Sequence, residues 1–261
     1  MTTNTLRGAH GPTWRRFAAP VHCYRLAGLL ASPFAALAAL LGAWGLYLGF
    51  VAAPTDFQQG EVYRIIFLHV PTAWLSMIIY VAMAFWAGLG WALNTRVSSM
   101  LASALAPSGA LMCLLALITG ALWGRPTWGA WWVWDARLSS ELILLFLYIG
   151  FMALHAAFDD ARRADRASAL WALVGVVNVP IIYFSVRWWN TLHQGASVSL
   201  SAAPHMAEAM LRGMLVCTLA LWSYAVAVAL WRLRLIIGER ESGAAWLQAE
   251  LGASFEQGQA A

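Results

Sequence analysis

Residues 99–122 read SMLASALAPSGALMCLLALITGAL, a run without a single charged side chain. A helix needs about 20 such residues to cross the hydrocarbon core of a bilayer. Five further stretches of similar length and composition lie on either side of it. The six predicted spans are residues 26–53, 70–93, 99–122, 139–158, 168–187 and 207–231. The sequence therefore predicts an all-α membrane protein, a bundle of six transmembrane helices.

The overall composition supports this fold class. The chain has 261 residues, of which 61% are hydrophobic and 11% charged, and its mean hydropathy is +0.66. A soluble domain carries about 25% charged residues, so the deficit indicates a protein embedded in lipid. The alternating segments of about ten residues that form outer-membrane strands are not found.

The arginines set the predicted orientation. All 16 basic residues are arginines. Five lie on one side of the spans and the other eleven on the opposite side, and the smaller group is Arg64, Arg125, Arg137, Arg187 and Arg212. Because the richer side faces the cytoplasm, both termini are predicted there. Loops 54–69, 123–138 and 188–206 then lie outside. The net charge of +4 needs no nucleic-acid partner to explain it.

The chain divides into a membrane domain and two polar ends. We predict a cytoplasmic N-terminal arm at 1–25, a six-helix domain at 26–231 and a cytoplasmic tail at 232–261, of which only a partner orders the last twenty or so residues. Within the domain, Pro107 and Pro180 predict helix kinks. Gly45-x-x-x-Gly49 predicts a helix-packing face, although the motif is weak in a chain with 21 glycines.

The three cysteines argue against thiol chemistry. Cys23, Cys113 and Cys217 all fall at or within predicted spans, and none lies in an outer loop. A disulfide or a CxxC redox site on that side is therefore not available. We expect these residues to pack as small apolar side chains.

The loop predicted at 123–138 opens the stretch WGRPTWGAWWVWDARLSS (123–140), which is unusually aromatic. It carries the five tryptophans Trp123, Trp128, Trp131, Trp132 and Trp134. Tryptophans at a membrane surface often form an interfacial belt, and that interpretation stays open. Five in one loop exceed what a belt requires, and they offer a large flat apolar surface.

Two histidines flank this loop from other parts of the chain. His69 lies at the outer end of the second span, and His193 follows the fifth. Each could be an interfacial polar group, or the two could bind opposite faces of a haem iron. Arginines of the outer surface suit the two carboxylates on a porphyrin edge.

Two acids near the start of the fourth span have simpler explanations. Glu141 suits the positive end of a helix dipole. Asp135 could do the same, or orient Arg137 or an indole N–H.

The stretch WGRPTWGAWWVWDARLSSE resembles the tryptophan-rich WWD signature of haem-handling proteins of cytochrome c maturation. With YRIIFLHVPTAWLS before span two and RWWNTLHQGAS after span five, the chain resembles the haem exporter protein C family from its first span to its sixth. The resemblance implies that His69 and His193 are axial haem ligands. It implies haem contacts for the loop residues Trp123, Trp128, Trp131, Trp132, Trp134 and Asp135, and propionate contacts for Arg64 and Arg137.

The resemblance also implies a function. It predicts a carrier, not an enzyme, that binds haem b transiently at the periplasmic face of a bacterial inner membrane. The carrier would deliver haem to a periplasmic haem chaperone. An ATP-binding-cassette ATPase with its membrane subunits, a small single-span subunit and membrane lipid are the other implied partners.

Two other function classes compete with a carrier. A b-type electron-transfer subunit holds its haem permanently, usually through histidines inside the spans, and only His155 comes near a span interior here. A small-molecule transporter usually carries charges within its spans, whereas here Glu208 and Arg212 lie close to a span end.

Overall fold

The structure is a computed structural model that describes residues 19–193, 195, 198, 204 and 206–259. Its helices are α1 (Pro20–Tyr47), α2 (Ile66–Leu93), α3 (Arg96–Trp128), α4 (Ala136–Ala156), α5 (Ala161–Gly175), α6 (Asn178–Trp188), α7 (Glu208–Arg240) and α8 (Ala245–Gln259). A π-helical turn, Leu48–Ala52, extends α1, and a 3-10 turn, Glu61–Ile65, leads into α2. Residues 1–18 of the predicted arm 1–25 lie outside the described residues, as do residues 194, 196–197, 199–203 and 205 of the loop after His193.

Six helical segments of this part of the chain are long and apolar enough to cross a membrane, which confirms the predicted fold class. They are Pro20–Ala52, Glu61–Leu93, Arg96–Trp128, Ala136–Ala156, Ala161–Trp188 and Glu208–Arg240. The first begins six residues earlier than predicted and the last continues to Arg240. Both extensions carry arginines, and they pack against each other, since the Arg234 guanidinium lies 4.5 Å above the ring of Tyr24.

The fifth span is broken where a proline was predicted to kink it. Helix α5 ends at Gly175 and α6 begins at Asn178. Pro180 has no N–H to donate to the carbonyl of Val176, so the helical ladder cannot pass this point. The Asn178 side chain donates instead to the carbonyl of Ser140 in α4, 2.8 Å away. At Pro107, by contrast, α3 is not interrupted.

The loop in the tryptophan-rich stretch is shorter than the predicted loop 123–138. Helix α3 continues through Trp128 and ends at Gly129, whose φ of 80° is the left-handed conformation that suits a glycine at this position. Helix α4 then begins at Ala136, after Asp135. Only the short connection between Gly129 and Asp135 is non-helical, because α3 outlasts the apolar run that defined the span.

The motif Gly45-x-x-x-Gly49 forms a helix-packing face as predicted, with Gly45 of α1 against α7 and Gly49 of the π-helical turn against α2. A Cβ on Gly45 would lie 2.7 Å from the Cys217 sulfur and 3.0 Å from its backbone nitrogen. A Cβ on Gly49 would lie 2.6 Å from the ring of Phe67. The neighbouring helices can approach this closely only because neither position carries a side chain. Cys217 and Cys113 are buried, as expected for apolar packing.

Helix α2 lies at the centre of the bundle, against α3, α5 and α7. Its residues Tyr80 and Met83 join Leu144 and Tyr148 of α4 in the main core, and all four are fully buried. This packing fixes α2 relative to α4 within the bundle.

The start of the tail is ordered by the chain itself, contrary to the expectation that only a partner orders it. Leu247 of α8 is buried, and the ring of Trp246 meets that of Tyr24 at 5.8 Å. Arg25 and Glu250 form an ion pair at 2.8 Å. The two described ends of the chain therefore lie on the same side of the bundle.

The close approach of α3 to α4 predicts a stability difference between two glycines. A Cβ on Gly109 would lie 2.2 Å from the fully buried Tyr148 ring, so Gly109→Ala overpacks the core, at a cost of about 1–3 kcal/mol. Gly42, also within a helix, has nothing within 4 Å of its added Cβ.

The measurement is thermal unfolding in detergent. Gly109→Ala should lower Tm, whereas the matched Gly42→Ala should leave Tm unchanged or raise it. Equal behaviour of the two variants would contradict this account of the packing.

Candidate binding cavity

A cavity of about 410 Å³ opens among α2, α3, α4, α6 and the segment after α6. This volume is within the range of about 300–1,000 Å³ typical of small-molecule sites. Its lining includes the predicted site residues His69, His193, Trp123, Trp128, Trp132 and Arg137. Side chains from five distant parts of the sequence therefore share one space.

His69 is held rigidly in the cavity wall. Its ring is buried on α2, and Nδ1 lies 3.1 Å from both the Ala116 carbonyl and the Thr119 hydroxyl of α3. The Thr119 hydroxyl donates to the carbonyl of Leu115, so both atoms near Nδ1 act as acceptors. This arrangement assigns the proton to Nδ1 and leaves a lone pair on Nε2, the state of a metal-binding imidazole.

His193 faces His69 from the other side of the site. The two ring centroids are 6.1 Å apart with an angle of 37° between the ring planes. The Trp128 ring lies 6.0 Å from the His193 ring, and the Trp123 ring meets His69 edge-on at 5.6 Å. The two histidines that the sequence singled out are therefore neighbours.

Asp135 positions His193 and does not line the cavity. Its Oδ1 accepts from the Leu138 amide at 2.8 Å and caps α4, while Oδ2 accepts from the Thr191 hydroxyl. The Thr191 oxygen in turn accepts from the His193 amide at 3.0 Å. A continuous chain of hydrogen bonds thus connects the start of α4 to the segment that carries His193.

The five tryptophans divide into two groups. Trp123, Trp128 and Trp132 line the cavity, and the Trp123 indole donates to the Gln59 side chain at 2.7 Å. The indole nitrogen of Trp132 is buried and has no hydrogen-bond partner in the described part of the chain. Trp131 and Trp134 lie outside the cavity, 57% and 79% exposed.

The arginines that line the cavity differ from the pair that the resemblance implied, Arg64 and Arg137. Arg137 lines the cavity and donates to the carbonyl of Ile182 at 2.8 Å. Arg64 does not line it, since its guanidinium pairs with Glu61 and donates to the carbonyl of Gly49. Arg187 lines the cavity instead.

The lining also includes residues that were not assigned to the site from sequence. Among them are Trp74, Glu141 and Arg187. Trp74 lies one turn after Val70, which also lines the cavity, but five residues after His69, so the helical period counted from His69 does not mark it. Glu141 is buried and accepts from the Ser76 hydroxyl at 2.8 Å, so it is more than a helix-end acid. Arg187 was predicted only as one of the arginines of the outer surface.

The site does not suit a bare metal ion. In the described residues no group of three or more His, Cys, Asp or Glu side chains could hold one. Two histidines alone can complete the coordination of a metal that brings its other ligands with it.

The chain matches the family model described as heme exporter protein C over residues 13–248. It belongs to the haem exporter protein C family. Family membership indicates a haem-handling role in cytochrome c biogenesis, in a multi-pass membrane protein.

Named relatives share much of the sequence. The chain is 49% identical over 185 residues to the heme exporter protein C of Escherichia coli (strain K12), which covers 71% of this chain and 76% of that protein. The heme exporter protein C of Haemophilus influenzae is 41% identical over 233 residues, with 89% and 95% covered. That of Paracoccus denitrificans is 42% identical over 193 residues, with 73% and 79% covered.

The hydrogen-bond chain from Asp135 to His193 predicts a local loss of order in Thr191→Val. The variant removes the acceptor of the His193 amide but keeps the Asp135 cap on α4. Because one such bond contributes about 1 kcal/mol, amide exchange around His193 should become about fivefold faster.

Hydrogen exchange followed by mass spectrometry measures this effect. The control is Thr218→Val in α7, whose hydroxyl bonds the Met214 carbonyl of its own helix. Unchanged protection around His193 in Thr191→Val would contradict the positioning role.

Proposed function

We propose that this protein binds haem b transiently through His69 and His193 and delivers it to a periplasmic haem chaperone. The proposal includes a bacterial inner-membrane location with the cavity facing the periplasm. Haem is cargo in this scheme, so the chain needs no catalytic group, and the covalent chemistry belongs to the acceptor.

The facing histidines are the observation that carries the proposal. Two imidazoles that each place one nitrogen about 2 Å from a shared metal have ring centroids about 6 Å apart, and the observed separation is 6.1 Å. The porphyrin supplies the four remaining ligands of the iron, which fits a site with two histidines and no further ligand cluster among the described residues.

The cavity lining also suits the porphyrin ring of haem and its carboxylates. Trp123, Trp128 and Trp132 provide flat apolar surface for the porphyrin. Arg137 and Arg187 can pair with its carboxylates. Arg64, which the resemblance implied, is already paired with Glu61, so we favour Arg187 in its place.

Release begins at His193 in this proposal. His69 is part of a central helix and is held by two acceptors of α3, whereas His193 lies on a non-helical segment attached through Thr191 and Asp135. Moving that segment removes one ligand and leaves the other in place. An ATPase partner, together with a small single-span subunit, is the proposed source of the movement.

Absorption spectra of the purified protein test this function. The wild type should show six-coordinate low-spin haem. His69→Ala and His193→Ala should each abolish that signature, because a single remaining imidazole leaves one axial position open. The control is His22→Ala, a histidine at the exposed start of α1.

Adding the haem-free chaperone separates the candidate functions. A carrier loses its haem to the chaperone, and a variant with a dead ATPase partner slows that loss. Haem that stays bound through repeated additions would instead favour the electron-transfer subunit. An unchanged spectrum in both histidine variants would overturn the ligand assignment.

The arginine assignment is tested separately by haem loss to apomyoglobin. Charge-assisted hydrogen bonds contribute about 1.5–3 kcal/mol each, so Arg187→Ala and Arg137→Ala should speed haem loss by about tenfold or more. Arg64→Ala should have little effect. If Arg64→Ala is the more damaging variant, the propionate site lies nearer to the 3-10 turn than we propose.

A further inference from the structure

A second, smaller cavity lies at the opposite end of the bundle, where α2 ends and α3 and α5 begin. Its volume is about 130 Å³, and its lining includes Trp91, Thr95, Arg96, Ser99, Arg162 and Arg166. The described ends of the chain lie on this side too, since Arg96 pairs with Glu241 just after α7, at 2.9 Å. Nothing in the proposed haem function uses this cavity.

Positive charge is in excess there. Asp165, which also lines the cavity, is engaged by both terminal nitrogens of Arg240 at 2.8 Å and by His155 at 3.2 Å. Arg162 and Arg166, one helical turn apart on α5, form no ion pair within the described part of the chain. The cavity is therefore built to receive an anion.

Backbone geometry adds to the same effect. The cavity adjoins the first turn of the 33-residue helix α3, whose amide groups favour an anion. The residue before this helix, Thr95, does not cap it, because its hydroxyl donates to the Ser98 hydroxyl at 2.8 Å. Two independent features therefore favour an anion in the same cavity: the helix start without a side-chain cap, and two arginines that form no ion pair among the described residues.

Apolar surface continues directly from the arginines towards the middle of the membrane. Leu170 follows Arg166 by one turn on α5 and is 59% exposed. Trp91, on the other wall of the cavity, is 56% exposed. A ligand with an anionic head and apolar chains matches both surfaces at once.

We propose that this cavity binds the phosphate of an anionic membrane phospholipid, with the acyl chains running along Leu170 and Trp91. Basic pockets between membrane helices recognise such headgroups on the cytoplasmic side, and the predicted orientation puts this end there. A free phosphate or a soluble phosphate ester would satisfy the arginines but not the apolar surface.

Native mass spectrometry of the detergent-purified full chain tests the proposal. Phosphatidylglycerol and phosphatidylcholine are titrated into the same sample. Phosphatidylglycerol should bind at least about tenfold more tightly, and Arg162→Ala combined with Arg166→Ala should remove that preference.

A charge-matched control separates the cavity from general attraction. Arg163→Ala combined with Arg212→Ala removes the same charge, but neither residue lines the cavity, so the preference should remain. Arg166→Ala alone serves if the double variant fails to fold, with a smaller loss expected. Equal losses in the control and in the cavity variants would overturn the proposal.

Two further arms distinguish the source of the phosphate. Leu170→Gln should weaken phosphatidylglycerol binding, and millimolar inorganic phosphate should not displace the lipid. Displacement by inorganic phosphate, or an unchanged affinity in Leu170→Gln, would assign the cavity to a soluble anion and refute the lipid.

Discussion

The lipid environment is the constraint on which this structure depends. No water is available in the hydrocarbon core, so each backbone N–H and carbonyl must be bonded within its own helix. Six helical spans satisfy that requirement, and non-helical backbone is left for their ends and for the break at residues 176–177 of the fifth span. The cavity that holds His69 and His193 lies at such an end, where a helix, a short connection and a loop can meet.

The two histidines differ in how they are held, and this difference carries the functional argument. His69 belongs to the central helix α2 and shares its Nδ1 proton with two acceptors of α3. The backbone amide of His193 donates to the Thr191 hydroxyl, which itself donates to Asp135. One histidine is thereby fixed by the core of the bundle and the other lies on a non-helical segment, an arrangement that supports the proposed binding and release.

The polar groups of the protein collect at the two ends of the bundle. At one end, tryptophans and arginines surround an apolar cavity. At the other, Asp165 joins Arg240 and His155 beside an anion-sized space. Charges at the ends of the spans avoid the cost of burial in lipid, and at each end arginines line the cavity. That common chemistry suits an anionic edge of haem on one side and a phospholipid headgroup on the other.

The sequence by itself determined the fold class and the number of spans, and it singled out His69 and His193 as candidate site residues. Apolar length and residue chemistry are local properties, so a sequence shows them directly. Only the tertiary structure decided which residues meet. Helix α3 extends beyond its apolar run, so the tryptophan loop is shorter than predicted. Trp131 and Trp134 lie outside the cavity and are exposed. Arg64 finds a local partner in Glu61, and Arg187 reaches the cavity instead. Such outcomes depend on helix ends and on packing between distant segments, which no local pattern encodes.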